Sequence, residues 1–166
     1  MSFHSILVAV DGSRHSDTAL AHAIELARDG NARLTILTAT PTPPGVALTG
    51  PGAAAIAATA AGIDHDFDQL LREAVDRVPD DLPVTTVHAS GPPAQAILSE
   101  VERGSHDLIV MGSRGLGLAR ALMGSVSHRV LRQAPSAVLI VHAEGEPDAG
   151  TPEASGQAGR GASVSR

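Results

Sequence analysis

One stretch constrains this chain more than any other: Asp107 to His142, DLIVMGSRGLGLARALMGSVSHRVLRQAPSAVLIVH. Leu108 to Met111 is an apolar run short enough for a buried strand. Gly112, Gly115, Gly117 and Gly124 follow, with Arg114 and Arg120 among them. From Ser125 the pattern turns helical, with Val126, Val130 and Leu131 on one face. Ala134-Pro135 stops that helix, and Ala137 to His142 reads as a second strand. Strand, glycine segment, helix, strand is the order in which α/β proteins build phosphate sites. Glycines let backbone N–H groups come close to the phosphates, and the free N–H groups and positive end of the next helix attract their charge. The same residues fit a plain structural role equally well. Ser125 can be the helix N-cap, worth about 0.5–2 kcal/mol with no ligand present, and the glycines can be turn residues with positive φ. Arg114 and Arg120 tilt the balance toward phosphate, because guanidinium suits phosphate oxygens.

The rest of the chain supplies a frame for this stretch. Ser5 to Val10, SILVAV, is nearly continuous in apolar residues, as in a strand buried on both faces of a parallel sheet. Asp11-Gly12-Ser13 breaks it. A helical stripe of Leu20, Ala23, Ile24 and Ala27 runs through Ser16 to Arg28 and ends at Gly30-Asn31. Arg33 to Ala39 is the second strand. Thr40 to Gly62 is rich in Pro, Gly and Ala without clear period, with a weak helix over Ala53 to Ala61. Asp64 to Val78 is an amphipathic helix with Phe67, Leu70, Leu71, Ala74 and Val78 inward. Val84 to Ala89 is a more polar strand, and Gly91-Pro92-Pro93 opens a helix whose Ile97, Leu98 and Val101 face in.

Five strands alternating with four helices predict a single-domain α/β fold, a Rossmann-like five-stranded parallel sheet with helices on both faces. The first and fourth strands are the most apolar and should be central neighbours. Strand order then reverses between them, and ligands bind in the crevice beyond their carboxyl ends. Asp11 follows the first strand and Gly112 the fourth, so both lie at that crevice. The domain is expected to span residues 1–142. Ala143 to Arg166 is Gly, Ala, Ser, Pro and Glu with Val164 as its one large aliphatic residue, and reads as a disordered tail.

Charge and composition remove several function classes. A net charge of −6 and aromatics limited to Phe3 and Phe67 argue against nucleic-acid binding, which needs a basic surface and often rings for stacking. There is no cysteine, hence no disulfide, thiol nucleophile or cysteine–zinc site. There is no lysine either, which rules out a Walker-type P-loop and Schiff-base chemistry. No segment approaches the roughly 18 apolar residues of a membrane span, and the expected location is cytoplasmic. Asp64-His65-Asp66 with Asp68 resembles a metal cluster, but on a helix Asp64 and Asp68 share a face while His65 and Asp66 diverge, and acidic residues in a first turn suit the helix dipole. His15, Ser16 and Asp17 are adjacent in sequence, which is not how a catalytic triad is assembled. Asp11 fits a turn, though its place at the switch point favours ligand contact.

Three blocks together resemble the universal stress proteins: ILVAVDGS near the start, GPPAQAI after the third strand, and DLIVMGSRG…GSVSHRVLRQAPSAVLIV. The resemblance covers roughly Ser5 to Val141 and implies sheet order 3-2-1-4-5. In the ATP-binding branch the loop reads G-x2-G-x9-G-[S/T]. Gly112, Gly115, Gly124 and Ser125 match it, except that only eight residues, Leu116 to Met123, separate the second and third glycines. The resemblance implies that Asp11 and the backbone near Ala9 and Ala39 meet adenosine, and that Met111 and Gly112 lie along the nucleotide. Gly115, Gly124 and Ser125, with Arg114, Val126 and Ser127, would hold the phosphates of ATP with Mg²⁺. It also implies a homodimer paired through the last strand, Val138, Leu139, Ile140 and Val141, whose apolar edge would otherwise stand open. The expected function is an ATP-binding regulatory protein of the stress response, acting through an unknown protein partner. A dimeric interaction protein without nucleotide, and a slow ATPase, are the alternatives.

Overall fold

A computed structural model of the chain describes residues 2–40, 53–115 and 123–143. The remaining parts of the expected insertion, of the glycine segment and of the tail (41–52, 116–122 and 144–166) lie outside the described residues. The elements run β1 (Ser5–Ala9), α1 (Arg14–Gly30), β2 (Arg33–Thr40), α2 (Ala53–Val75), β3 (Val84–Ser90), α3 (Pro93–Gly104), β4 (Leu108–Gly112), α4 (Ser125–Gln133) and β5 (Ala137–Val141). All pairings are parallel and the order is β3-β2-β1-β4-β5, with β1 and β4 central neighbours as their apolar runs predict and the full order the one the family resemblance implies.

The period-2 alternation of each strand divides its side chains between two cores. Ile6 and Val8 of β1, Leu34 and Ile36 of β2, and Leu108 and Val110 of β4 face α1 and α2, meeting Leu20, Ala23, Leu71 and Ala74. Leu7, Leu37, Ile109 and Met111 point the other way, to Ala94, Ile97 and Val101 of α3 and Val130 of α4. Both faces of the central strands are therefore dry, which is why their sequences are almost unbroken apolar runs.

α1 starts two residues before the apolar stripe indicates. Ser13 is its N-cap and accepts from the Ser16 N–H, and Asn31 closes it in the left-handed conformation at φ 48°. α2 departs more from expectation, because it is one helix and not two segments. Alanine is the best helix former, and a lone Gly62 costs only about 1 kcal/mol, too little to interrupt it. Asp64, Asp66 and Asp68 consequently sit in mid-helix, so no first-turn dipole accounts for them. Asp68 instead bonds His88 Nδ1 at 2.8 Å. α4 also differs in one respect: Leu131 is 47 % exposed. The inner stripe is Val126, Ser127, Val130 and Ala134, with Ser127 taking an inner place because its hydroxyl is satisfied by the carbonyls of Ser113 and Gly124. Among the described residues no helix is long and apolar enough to cross a membrane.

Candidate functional site at the switch point

At the carboxyl edge of the sheet, β1 turns into α1 on one face while β4 leads toward α4 on the other. The divergence leaves a crevice between them. Ala9 is level with Leu37 on one side and with Met111 on the other. The last rung between β1 and β2 is the Val10 N–H to the Leu37 carbonyl, at 2.9 Å. Ala39 extends beyond it, so its backbone borders the crevice.

The Asp11-Gly12-Ser13 turn is tightly specified. The Ser13 N–H donates to Asp11 Oδ1 at 3.0 Å, and Ser16 Oγ donates to the Ser13 carbonyl at 2.9 Å. Gly12 has φ +78°, a conformation side chains rarely adopt. Two glycines of the later segment are required by proximity. A Cβ on Gly112 would stand 2.7 Å from His15 Cβ and 2.8 Å from the His15 carbonyl carbon, and one on Gly115 would run into Asp11 Oδ2. At Gly115 the backbone thus passes directly beside the Asp11 carboxylate.

The start of α4 corrects the plain reading of Ser125. The N-cap is Gly124, with φ −69° and ψ 157°, and it provides no side-chain cap; Ser125 is the first helical residue. Among the described residues, the N–H groups of Ser125, Val126 and Ser127 have no hydrogen-bond partner, the first helical bond being His128 N–H to the Gly124 carbonyl at 3.0 Å. Those orphan donors at a helix start are the features that attract an anion. The Ser113 carbonyl holds this turn in place, accepting from the Gly124 N–H at 2.7 Å and from Ser127 Oγ at 2.8 Å.

A cavity of about 400 Å³ occupies the crevice, and all eleven residues singled out from the sequence line it. Its apolar lining is Ala9, Leu37, Ala39, Ile97 and Met111; beyond the end of β4 it is lined by Gly112, Gly115, Gly124 and the first turn of α4. The sequence reading missed Val10, Ser16, Leu37, Phe67, Pro93 and Ile97 as lining residues. Leu37 was foreseeable, being two positions before Ala39 on the same face of β2. Pro93 and Ile97 belong to the GPPAQAI block, whose approach to the crevice depends on the packing of α3.

The family model for universal stress proteins matches residues 2–142. The chain belongs to the universal stress protein family. Among members of this family, the universal stress protein YxiE of Bacillus subtilis is 33 % identical over 156 residues, covering 84 % of this chain and 99 % of that one. A universal stress protein solved in complex with cAMP is 32 % identical, with TM-score 0.60 and coverage of 86 % of this chain and 99 % of that chain. The universal stress protein UspA from Lactobacillus plantarum is similar in fold, with TM-score 0.69 at 24 % identity, covering 85 % and 99 %.

Proposed function

We propose that this universal stress protein binds an adenine nucleotide, ATP with Mg²⁺, in the switch-point cavity and acts in the stress response as a nucleotide-dependent dimeric regulator of a protein partner. One observation carries the nucleotide reading: a single cavity joins an apolar half, suited to a base, to a half where glycines and orphan helix N–H groups suit phosphates. The relative solved with cAMP supports the same reading, since cAMP combines an adenine base with a phosphate. Among the described residues no group of three or more carboxylates or histidines is arranged to cage a metal. Mg²⁺ would arrive on the phosphates, as it commonly does with few protein ligands. Titration calorimetry with ATP, AMP and cAMP tests the proposal, together with chromatography of nucleotide released when the purified protein is denatured. ATP binding at micromolar affinity is expected; no heat with any of the three at high protein concentration refutes it.

The dimer reading rests on the edge strand β5. Leu139 on β5 is 37 % exposed, at an edge with no covering strand among the described residues. An open apolar edge is a hazard that proteins normally pair or cover. Leu139 and the exposed Leu131 also favour the second reading, a dimeric interaction protein without nucleotide, which takes over if calorimetry shows no binding.

A further inference from the structure

The chain has two aromatic residues, and the structure uses them differently. Phe3 packs against the core under α1 and α2. Phe67 is half-buried yet belongs to neither core cluster. Its side chain instead lines the switch-point cavity, and also an adjoining depression of about 460 Å³ bordered by Gly12, Gln69 and Leu70. Phe67 thus borders both spaces.

The orientation of this ring is fixed from outside the cavity. Asp68, the next residue, bonds His88 Nδ1 of β3 at 2.8 Å, and His88 Nε2 lies 2.7 Å from Thr40 Oγ1 at the end of β2. The chain of contacts joins the helix to the edge strand β3 and to its neighbour β2. Neighbouring residues on a helix diverge by about 100°, so tying Asp68 to β3 leaves Phe67 facing the crevice. The His88 ring lies beside it, with centroids 6.3 Å apart and a 36° tilt. Ala39, which lines the same cavity from the end of β2, adds only a methyl group to it.

We infer that Phe67 is the stacking wall of the base subsite, its ring face offered to a planar purine in the apolar part of the switch-point cavity. This rests on the nucleotide reading and adds to it the residue that recognises the base, together with a selectivity. Stacking uses the π-face that every base has and is largely indifferent to the groups on its rim. Phe67 therefore contributes equally to adenine and guanine nucleotides, and less to pyrimidines, whose single ring covers less of it.

Three variants test the assignment by calorimetry with ATP, GTP and CTP, with urea midpoints recorded for each. Phe67→Ala should bind ATP and GTP about 5- to 100-fold more weakly. Phe67→Leu keeps most of the packing volume without the π-face, so it should lose affinity at a nearly unchanged urea midpoint. Phe67→Trp should bind within about threefold of wild type. The chain contains no other tryptophan and no tyrosine, so emission from Phe67→Trp reports stacking directly and should be quenched by saturating ATP. Wild type that binds ATP while Phe67→Leu binds equally well, or Phe67→Trp emission that ignores bound ATP, overturns the stacking role and leaves the nucleotide reading standing. Wild type that binds no nucleotide removes both.

Discussion

The same substitution, Gly to Ala, should have opposite signs at two positions of this protein. At Gly112 the new Cβ would stand 2.7 Å from His15 Cβ, 2.8 Å from the His15 carbonyl carbon and 3.0 Å from the Ser16 nitrogen. Two of these neighbours are backbone, so no rotamer change relieves the clash. The first turn of α1 would have to lift from β4, and overpacking of this kind costs about 1–3 kcal/mol. In a domain of this size that corresponds to a fall in Tm of about 3–10 °C. At Gly62, inside α2 and exposed, an added Cβ meets nothing within 4 Å. Alanine there only reduces the freedom of the unfolded chain and raises helix propensity, stabilising by about 0.4–1 kcal/mol. Urea and thermal unfolding of the two single variants measure both effects. Unchanged stability of Gly112→Ala would refute the close approach of α1 to β4, and destabilisation by Gly62→Ala would refute the continuity of α2.

Three further outcomes are expected. Asp11→Ala should weaken ATP and ADP alike, whereas Gly124→Val, whose Cβ already sits 3.5 Å from the Ser113 carbonyl, should weaken ATP more than adenosine; calorimetry separates them, and equal losses for both ligands in Gly124→Val would contradict the phosphate assignment. Leu139→Asp should give monomers in sedimentation experiments without disturbing the core that Val138 and Ile140 partly cover; wild type that is already monomeric at micromolar concentration ends the dimer proposal. His106 is buried with Nδ1 2.9 Å from Ser5 Oγ and Nε2 3.7 Å from Glu100 Oε1. Burial lowers its pKa below the ordinary 6.5; nearby Glu100 pushes upward but does not prevail, and Arg33 and Arg103 add to the lowering. The neutral form is thus favoured by folding, so this contribution is complete above about pH 6.5 and is lost as pH falls through that value toward the folded pKa. His106→Gln should flatten that part of the urea-midpoint profile, and identical profiles for both proteins would count against it.

Much of the fold was legible because the central strands of a parallel sheet are buried on both sides. SILVA and LIVMG could hardly be anything else, and two such runs at the centre dictate where the order reverses. Asp11 and Gly112 followed from that reversal, the full set of eleven site candidates came from the resemblance to the universal stress proteins, and all eleven line one cavity. The misreadings have local causes. An alanine-rich stretch has no apolar period, so α2 looked broken at Gly62. A helical period of 3.6 also allows two adjacent stripes on α4, and only the bonds from Ser127 Oγ decide that Ser127 turns inward and Leu131 outward. Phe67 read as an ordinary inward residue of an amphipathic helix. Its place at the cavity depends on where α2 crosses the sheet edge, which His88 and Thr40 determine from 20 and more residues away in sequence.

The same reasoning bears on the short segment between Gly115 and Gly124, one residue less than the pattern of the ATP-binding branch. A missing residue removes up to about 3.3–3.6 Å of reach, more than a hydrogen bond spans. If the loop itself positioned the helix start, the orphan N–H groups would be displaced from the glycines after β4. They are positioned otherwise. Both bonds that seat the first turn of α4, from the Gly124 N–H and from Ser127 Oγ, end on the carbonyl of Ser113, the residue immediately after β4. Ser113 in turn donates its N–H to the Val141 carbonyl at 2.8 Å, tying the junction to β5. The two sides of the proposed phosphate site, Gly112 to Gly115 and the first turn of α4, are therefore registered to each other through the sheet. Loops of this kind tolerate such a change, so the shortened pattern is compatible with an intact anion site.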